Sequence, residues 1–235
     1  MKKLRKMKKI ADLEKNLNLT FKNKELLTTA LTHRSFLNEN REIKEHNERF
    51  EFLGDAVLEL IVTQYLFDNC PNETEGVLTS FRSASVKTDT LAEISKKLDY
   101  GSYLRMSRGE ERTGGREKDY LLANTFEAVL GALYLDQGFE ICKKFLQKVL
   151  FPKIDTIIEQ RLDIDPKTQF QEIAQEMYKE TPSYKVVEEE GPDHEKSFTI
   201  GVFLGKKEMG KGTGASKQKA EEEAAQKALE KLGKA

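Results

Sequence analysis

The chain has no excess of charge of either sign: 39 Lys and Arg stand against 40 Asp and Glu, a formal net charge of −1. That balance does not advertise nucleic acid, so any affinity for it must come from where lysines are placed and not from total charge. Cysteine is nearly missing. Cys70 and Cys142 lie far apart in the apolar contexts LFDNCP and FEICKKF, which argues against a disulfide framework or a paired-thiol metal site and leaves buried thiols in a reducing cytoplasm. There are only three histidines, His33, His46 and His194, and no Ser/His/Asp arrangement is legible. His33, in ALTHRSF, reads as a hydrogen-bonded structural residue. No apolar run follows the lysines of MKKLRKMKKIADLEKNL, so this segment makes a poor signal peptide. The most apolar stretch, AVLELIVTQYLF, is broken by Glu59 and Gln64 and is too short to span a bilayer. Internal repeats and low-complexity blocks are also lacking. A soluble cytoplasmic protein is expected.

What is present divides in two, as a length of 235 residues allows. From residue 10 to about 160, apolar residues recur at three- and four-residue steps in LLTTALTHRSFL, NERFEFLGDAVLELIVTQYLF, SVKTDTLAEISKKL, YLLANTFEAVLGALYLDQG and FEICKKFLQKVLFPKIDTII. Turn signals such as CPNETEG, DYGS and SRGEERTGGRE separate them. An all-α domain over 1–160 is expected, with a linker at 161–166 inside EQRLDIDPKT. The pattern then changes. Residues 168–180 read as a short amphipathic helix, SYKVVEEE as a strand, and SFTIGVFL as a second strand alternating Phe198, Ile200, Val202 and Leu204. A lysine-containing segment through KKEMGKGTG follows. The last helix, SKQKAEEEAAQKALEKL, has Ser216 as its N-cap and a stripe of small residues suited to close packing on a sheet. The second domain, 167–235, is therefore α+β in the order α-β-β-β-α.

In HNERFEFLGDAVLEL, residues 46–60, Glu48, Glu51 and Asp55 stand at i, i+3 and i+7, within roughly 60° of one another on a helix. Three carboxylates on one stripe repel each other, and a hard cation such as Mg²⁺ relieves that repulsion. The stripe has none of the i,i+4 lysines that neutralise an ordinary solvated face. Phe52 lies about 40° from Glu48, which suggests that this face meets another surface. Asn124 and Glu127, one turn apart in LLANTFEAVLGALYLDQG, form a second pair that could face the first across a metal. In the tail, Lys217, Gln218 and Lys219 sit at a helix N-terminus preceded by Gly212 and Gly214, where backbone N–H groups and the helix dipole already favour phosphate; Lys211 could add to this patch.

HNERFEFLGDAVLEL resembles the signature of the bacterial ribonuclease III family. LTHRSF before it, EGVLTSFRSASV after it and LLANTFEAVLGALYLDQG match in the same order, and the tail is similar to a double-stranded RNA-binding domain. The resemblance implies an endoribonuclease that hydrolyses double-stranded RNA as a homodimer and leaves staggered 5′-phosphate and 3′-hydroxyl ends, with ribosomal RNA precursors and structured messages as substrates. It implies Mg²⁺, with Mn²⁺ as a substitute, held by Glu51, Asp55, Asn124 and Glu127. Asp55 and Glu127 are the pair most directly tied to catalysis. Glu48 and Glu75 match further acidic positions of the cleft, and Phe52 matches an apolar knob that enters the partner subunit. Gln171, Glu172 and His194 match residues that read the minor groove, a shape-based recognition suited to duplex RNA. Arg105, Arg108, Arg112 and Arg116 could contact the RNA backbone. One position departs from the pattern, for the family commonly carries Asp where this chain has Asn124. The expected consequence is weaker Mg²⁺ affinity. The departure also keeps open a second reading, a duplex-binding protein that does not cut. A DNA-processing nuclease is a third reading, less consistent with a tail that resembles an A-form reader.

Overall fold

The computed structural model describes residues 10–192 and 196–233 and divides the chain into two compact units, Met1–Glu159 and Gln160–Ala235. The first unit contains α1 (Ile10–Leu17), α2 (Lys24–Ala30), α3 (Glu48–Asn69), α4 (Glu75–Val86), α5 (Thr88–Lys97), α6 (Arg108–Arg112), α7 (Asp119–Gln137), α8 (Phe139–Val149) and most of α9 (Phe151–Gln160). Its centre is α7. Leu121, Leu122, Ala123, Phe126, Ala128, Val129, Leu130, Ala132 and Leu133 are all buried, and a helix apolar on nearly every side is stable only when other helices surround it. Helices α2, α3, α5 and α8 do so. No helix among the described residues is long and apolar enough to cross a membrane.

Local chemistry explains where the helices stop. The apolar period of LLTTALTHRSFL suggested one helix, but α2 ends at Ala30. Thr32 then pairs with Arg105 in an isolated parallel bridge, and His33, extended, caps a 3-10 turn over Arg34–Asn38 with its side chain accepting from Ser35 N. His33 is structural, as its context suggested. The run FEICKKFLQKVLFPKIDTII is likewise two helices, because Pro152 has no N–H to continue the helical ladder and stands instead in the first turn of α9. Both cysteines are free thiols: Cys142 is buried, as expected, whereas Cys70 at the end of α3 is only half-buried.

The second unit contains α10 (Pro166–Tyr178), then β1 (Ser183–Glu190), β2 (Ser197–Leu204) and β3 (Lys207–Gly214) in one antiparallel sheet of order β1-β2-β3, then α11 (Lys217–Lys231). Asp165 caps α10 and Ser216 caps α11, each side chain accepting a backbone N–H in the first turn. Ile200, Val202 and Leu204 face inward, as their alternation predicted, and Val202 and Leu204 share a core with Phe170, Ala174, Met209, Ala224, Ala225, Ala228 and Leu229. Phe198, first in that alternation, is only partly covered. Helix α11 lies unusually close to β3. A Cβ on Gly212 would fall 2.5 Å from the carbonyl oxygen of Ala220, and one on Gly210 2.7 Å from the nitrogen of Ala228. The alanine stripe on the helix and the alternating glycines of the strand are thus two halves of one contact.

Candidate functional site

Helices α3 and α7 cross where neither has a side chain. A Cβ on Gly54 would lie 2.6 Å from the carbonyl carbon of Glu127, closer still to its oxygen, and 2.9 Å from Gly131 N. A Cβ on Gly131 would lie 3.1 Å from the carbonyl carbon of Phe50. Backbone therefore touches backbone, and side chains flanking the crossing are drawn together: Glu51 and Asp55 on α3, Asn124 and Glu127 on α7. Sequence spacing supplied the two pairs but missed the glycines. Their signal was available, since an isolated glycine inside a helical run such as FLGDA or VLGAL costs helix stability and usually has a packing reason.

The carboxylates feel one another. Burial raises the pKa of Glu127 to about 8, with the charges of Asp55 and then Glu51 adding to it. Burial also raises Glu51, with Glu48 and Asp55 pushing in the same direction, while a hydrogen bond donated by the Asn124 amide opposes the shift. Asn124 thus engages the cluster through its NH₂ group, leaving one amide oxygen as a further hard donor. Among the described residues no three Asp, Glu, His or Cys side chains enclose an ion by themselves. The set is instead three repelling carboxylates and one amide, all oxygen donors, whose charge is relieved by a proton or by a cation. This donor chemistry fits Mg²⁺ or Mn²⁺, which favour oxygen ligands.

Of the other two expected acidic residues, Glu48 adds its charge to that around Glu51. Glu48 lacks a lysine on its own helix but is paired from elsewhere: Arg34 Nη1 lies 3.4 Å from its carboxylate. Glu75 is exposed in the first turn of α4 and is not among the charges that raise Glu51 or Glu127. Phe52 is 81% exposed. It borders an apolar groove of about 730 Å³ lined also by Phe50, Leu53 and Leu135, and Leu60 and Phe67 farther along α3 are exposed as well.

The four arginines of the connecting segment separate by environment. Arg105 lies 4.5 Å over the Phe36 ring and donates to Thr32 Oγ1. Arg116 donates to the carbonyls of Gly101 and Leu104 and to Glu111. Both hold the loop together, which corrects the expectation that they reach outward; Arg108 and Arg112 are exposed.

In the second unit Gln171 and Glu172 lie exposed on α10 between the buried Phe170 and Ala174. Lys217, Gln218 and Lys219 are exposed in the first turn of α11, and Lys211 is exposed on β3. Gln218 donates to Glu222. His194 lies outside the described residues.

Known proteins resemble this chain over both units. Residues 23–154 match the family model described as Ribonuclease-III-like, and residues 166–232 match the double-stranded RNA binding motif. The chain is 48% identical to Ribonuclease 3 of Desulforamulus reducens over 94% of its length and 90% of that protein. It is 47% identical to Ribonuclease 3 of Geobacillus thermodenitrificans over 95% and 91%. Among solved structures, the nuclease domain of ribonuclease III from Campylobacter jejuni, described for the flexibility of its dimer-forming region, superposes with a TM-score of 0.57 at 42% identity. It covers 60% of this chain and 96% of that one.

Proposed function

Because this chain belongs to the ribonuclease III family of double-stranded RNA endoribonucleases, we propose that Glu51, Asp55, Asn124 and Glu127 are its metal-holding set. Its ion would be Mg²⁺, with Mn²⁺ as a substitute, and its products staggered ends bearing 5′-phosphate and 3′-hydroxyl. The observation that carries this reading is the Gly54–Gly131 crossing, which sets the two pairs opposite each other. When bound, the cation supplies charge neutralisation at phosphorus, an activated water and support for the leaving oxygen. The protein's own part is positioning. Three carboxylates and the Asn124 oxygen come from two helices locked by backbone contact, and the Asn124 NH₂ holds Glu51. Asp55 and Glu127 are the pair closest to the chemistry. In this reading Glu48 and Glu75 are further acidic positions of the cleft.

The working unit is a homodimer joined through the exposed Phe52 and its adjoining groove, one site serving each RNA strand. Phe52 and Leu135 are both exposed at this groove, with Leu60 and Phe67 exposed farther along α3, and such an apolar surface favours a partner. The second unit grips the duplex through Gln171, Glu172 and His194 in the minor groove, and through Lys217, Gln218 and Lys219 on phosphate. Ribosomal RNA precursors and structured messages in the cytoplasm are the substrates this reading assigns.

The test is a long RNA duplex incubated with the protein and Mg²⁺, with the ends mapped. Staggered 5′-phosphate ends are expected, together with loss of cleavage but not of binding in Glu127→Gln. Binding without cleavage by the unaltered protein would instead favour a duplex-binding role.

A further inference from the structure

The two lysines nearest the start of α11 and the end of the β1–β2 connection are not both free for RNA. Lys217, the first residue of α11, lies 3.3 Å from one carboxylate oxygen of Glu189, and Lys196 lies 3.3 Å from the other. Both ammonium groups also stand over one phenyl ring, 5.4 and 5.8 Å from the centroid of Phe198. Strand pairing produces this arrangement. Glu189 on β1 is the direct cross-strand partner of Phe198 on β2, and Phe198 is in turn the partner of Gly214 on β3, three residues before Lys217. The ring is the inward-pattern residue of SFTIGVFL that the core leaves partly uncovered.

The chemistry is that of a phosphate site with a tenant. Two cations over an aromatic face attract an anion, and a carboxylate carries the same single charge as a phosphodiester. We propose that Lys196 and Lys217 form one phosphate seat on Phe198, and that Glu189 is an internal occupant which duplex RNA displaces. The proposal rests on the reading of the second unit as a duplex binder. Glu189 then sets affinity: it lowers the net charge of the seat from two to one and makes the first RNA phosphate compete with a tethered rival. Exposed ion pairs are individually weak and screened by salt, so the effect is a modest one.

The experiment uses the full chain with a labelled RNA duplex in EDTA, where nothing is cut, and reads fluorescence anisotropy across a KCl series. Glu189→Gln is expected to tighten Kd about three- to tenfold at low salt, with the slope of log K against log salt steeper by about one. Glu188→Gln, which removes the same charge one residue away, is expected to change Kd less than twofold. Lys196→Ala in the Glu189→Gln background is expected to erase most of the gain. Thermal unfolding of each variant shows that the fold is retained. Unchanged or weaker binding by Glu189→Gln overturns the proposal, as does an equal gain from Glu188→Gln or a gain that survives loss of Lys196. Failure of the unaltered protein to bind duplex would overturn the underlying reading instead, and is seen before any variant is compared.

Discussion

Gly54→Ala adds one methyl group to the chain at the point where α3 and α7 touch. The new carbon would sit 2.6 Å from the carbonyl carbon of Glu127. Carbon atoms in contact prefer about 3.5 Å and the carbonyl oxygen of Glu127 stands closer still, so the helices must part by more than about 1 Å. No side chain can rotate away, because the obstacle is backbone. Overpacking a core that can adjust costs about 1–3 kcal/mol, and a rigid neighbour places this substitution at the upper end, about 3 kcal/mol. The same shift moves Glu51 and Asp55 away from Glu127, and a misplacement of about 1 Å at a reacting centre costs on the order of 100-fold in rate. Gly76→Ala is the matched control. It stands in the first turn of α4 with nothing nearer its would-be Cβ than Thr74 Oγ1 at 4.0 Å, so it should be neutral or stabilising by up to about 1 kcal/mol, since alanine favours helix. Urea unfolding gives the stabilities, and single-turnover cleavage with Mg²⁺ gives the rates. Gly54→Ala with wild-type stability and cleavage would refute the claim that the glycine crossing sets the site.

Two further outcomes test the electrostatics. Asn124→Asp restores a fourth carboxylate and removes the donor to Glu51, so the metal-free protein should melt lower and the Mg²⁺ midpoint for cleavage should fall; identical midpoints would sink the idea that Asn124 weakens the metal. Glu93 joins α5 to α9 through Lys153 and also pairs with Lys97, and these hydrogen bonds hold its carboxyl at about 2. A depressed carboxyl contributes stability above its unfolded pKa of about 4.3, and that stability is lost as pH falls toward 2. Glu93 is 43% exposed, so screening limits the contribution to about 1 kcal/mol or less. Glu93→Gln should therefore melt slightly lower at pH 7, with the difference closing between about pH 4.5 and 2; a gap that persists at pH 2 would contradict this account.

Element types were largely legible in the chain because period and capping are local. The heptad-like apolar steps gave the helices, the alternation of SFTIGVFL gave β2, and Ser216 gave the start of α11. The errors have local causes of another kind. Pro152 split a periodic run, and the Thr32–Arg105 bridge ended α2 early; periodicity records which face is buried, not where the backbone turns. The same limit applied to the arginines of SRGEERTGGRE. Arg116 differs from Arg112 only in finding two loop carbonyls and Glu111 within reach, and nothing in residue type distinguishes them.

The acidic helix, the facing Asn124–Glu127 pair and the two-unit organisation were determined by sequence alone, since each depends on spacing within one element. Only the tertiary structure decided how those pairs meet and which charges are already committed. The pairs meet because Gly54 and Gly131 let two backbones touch, and Glu48 and Lys217 are engaged by Arg34 and Glu189 from distant segments. Both are contacts between elements, where distance and desolvation are set by packing and not by position along the chain.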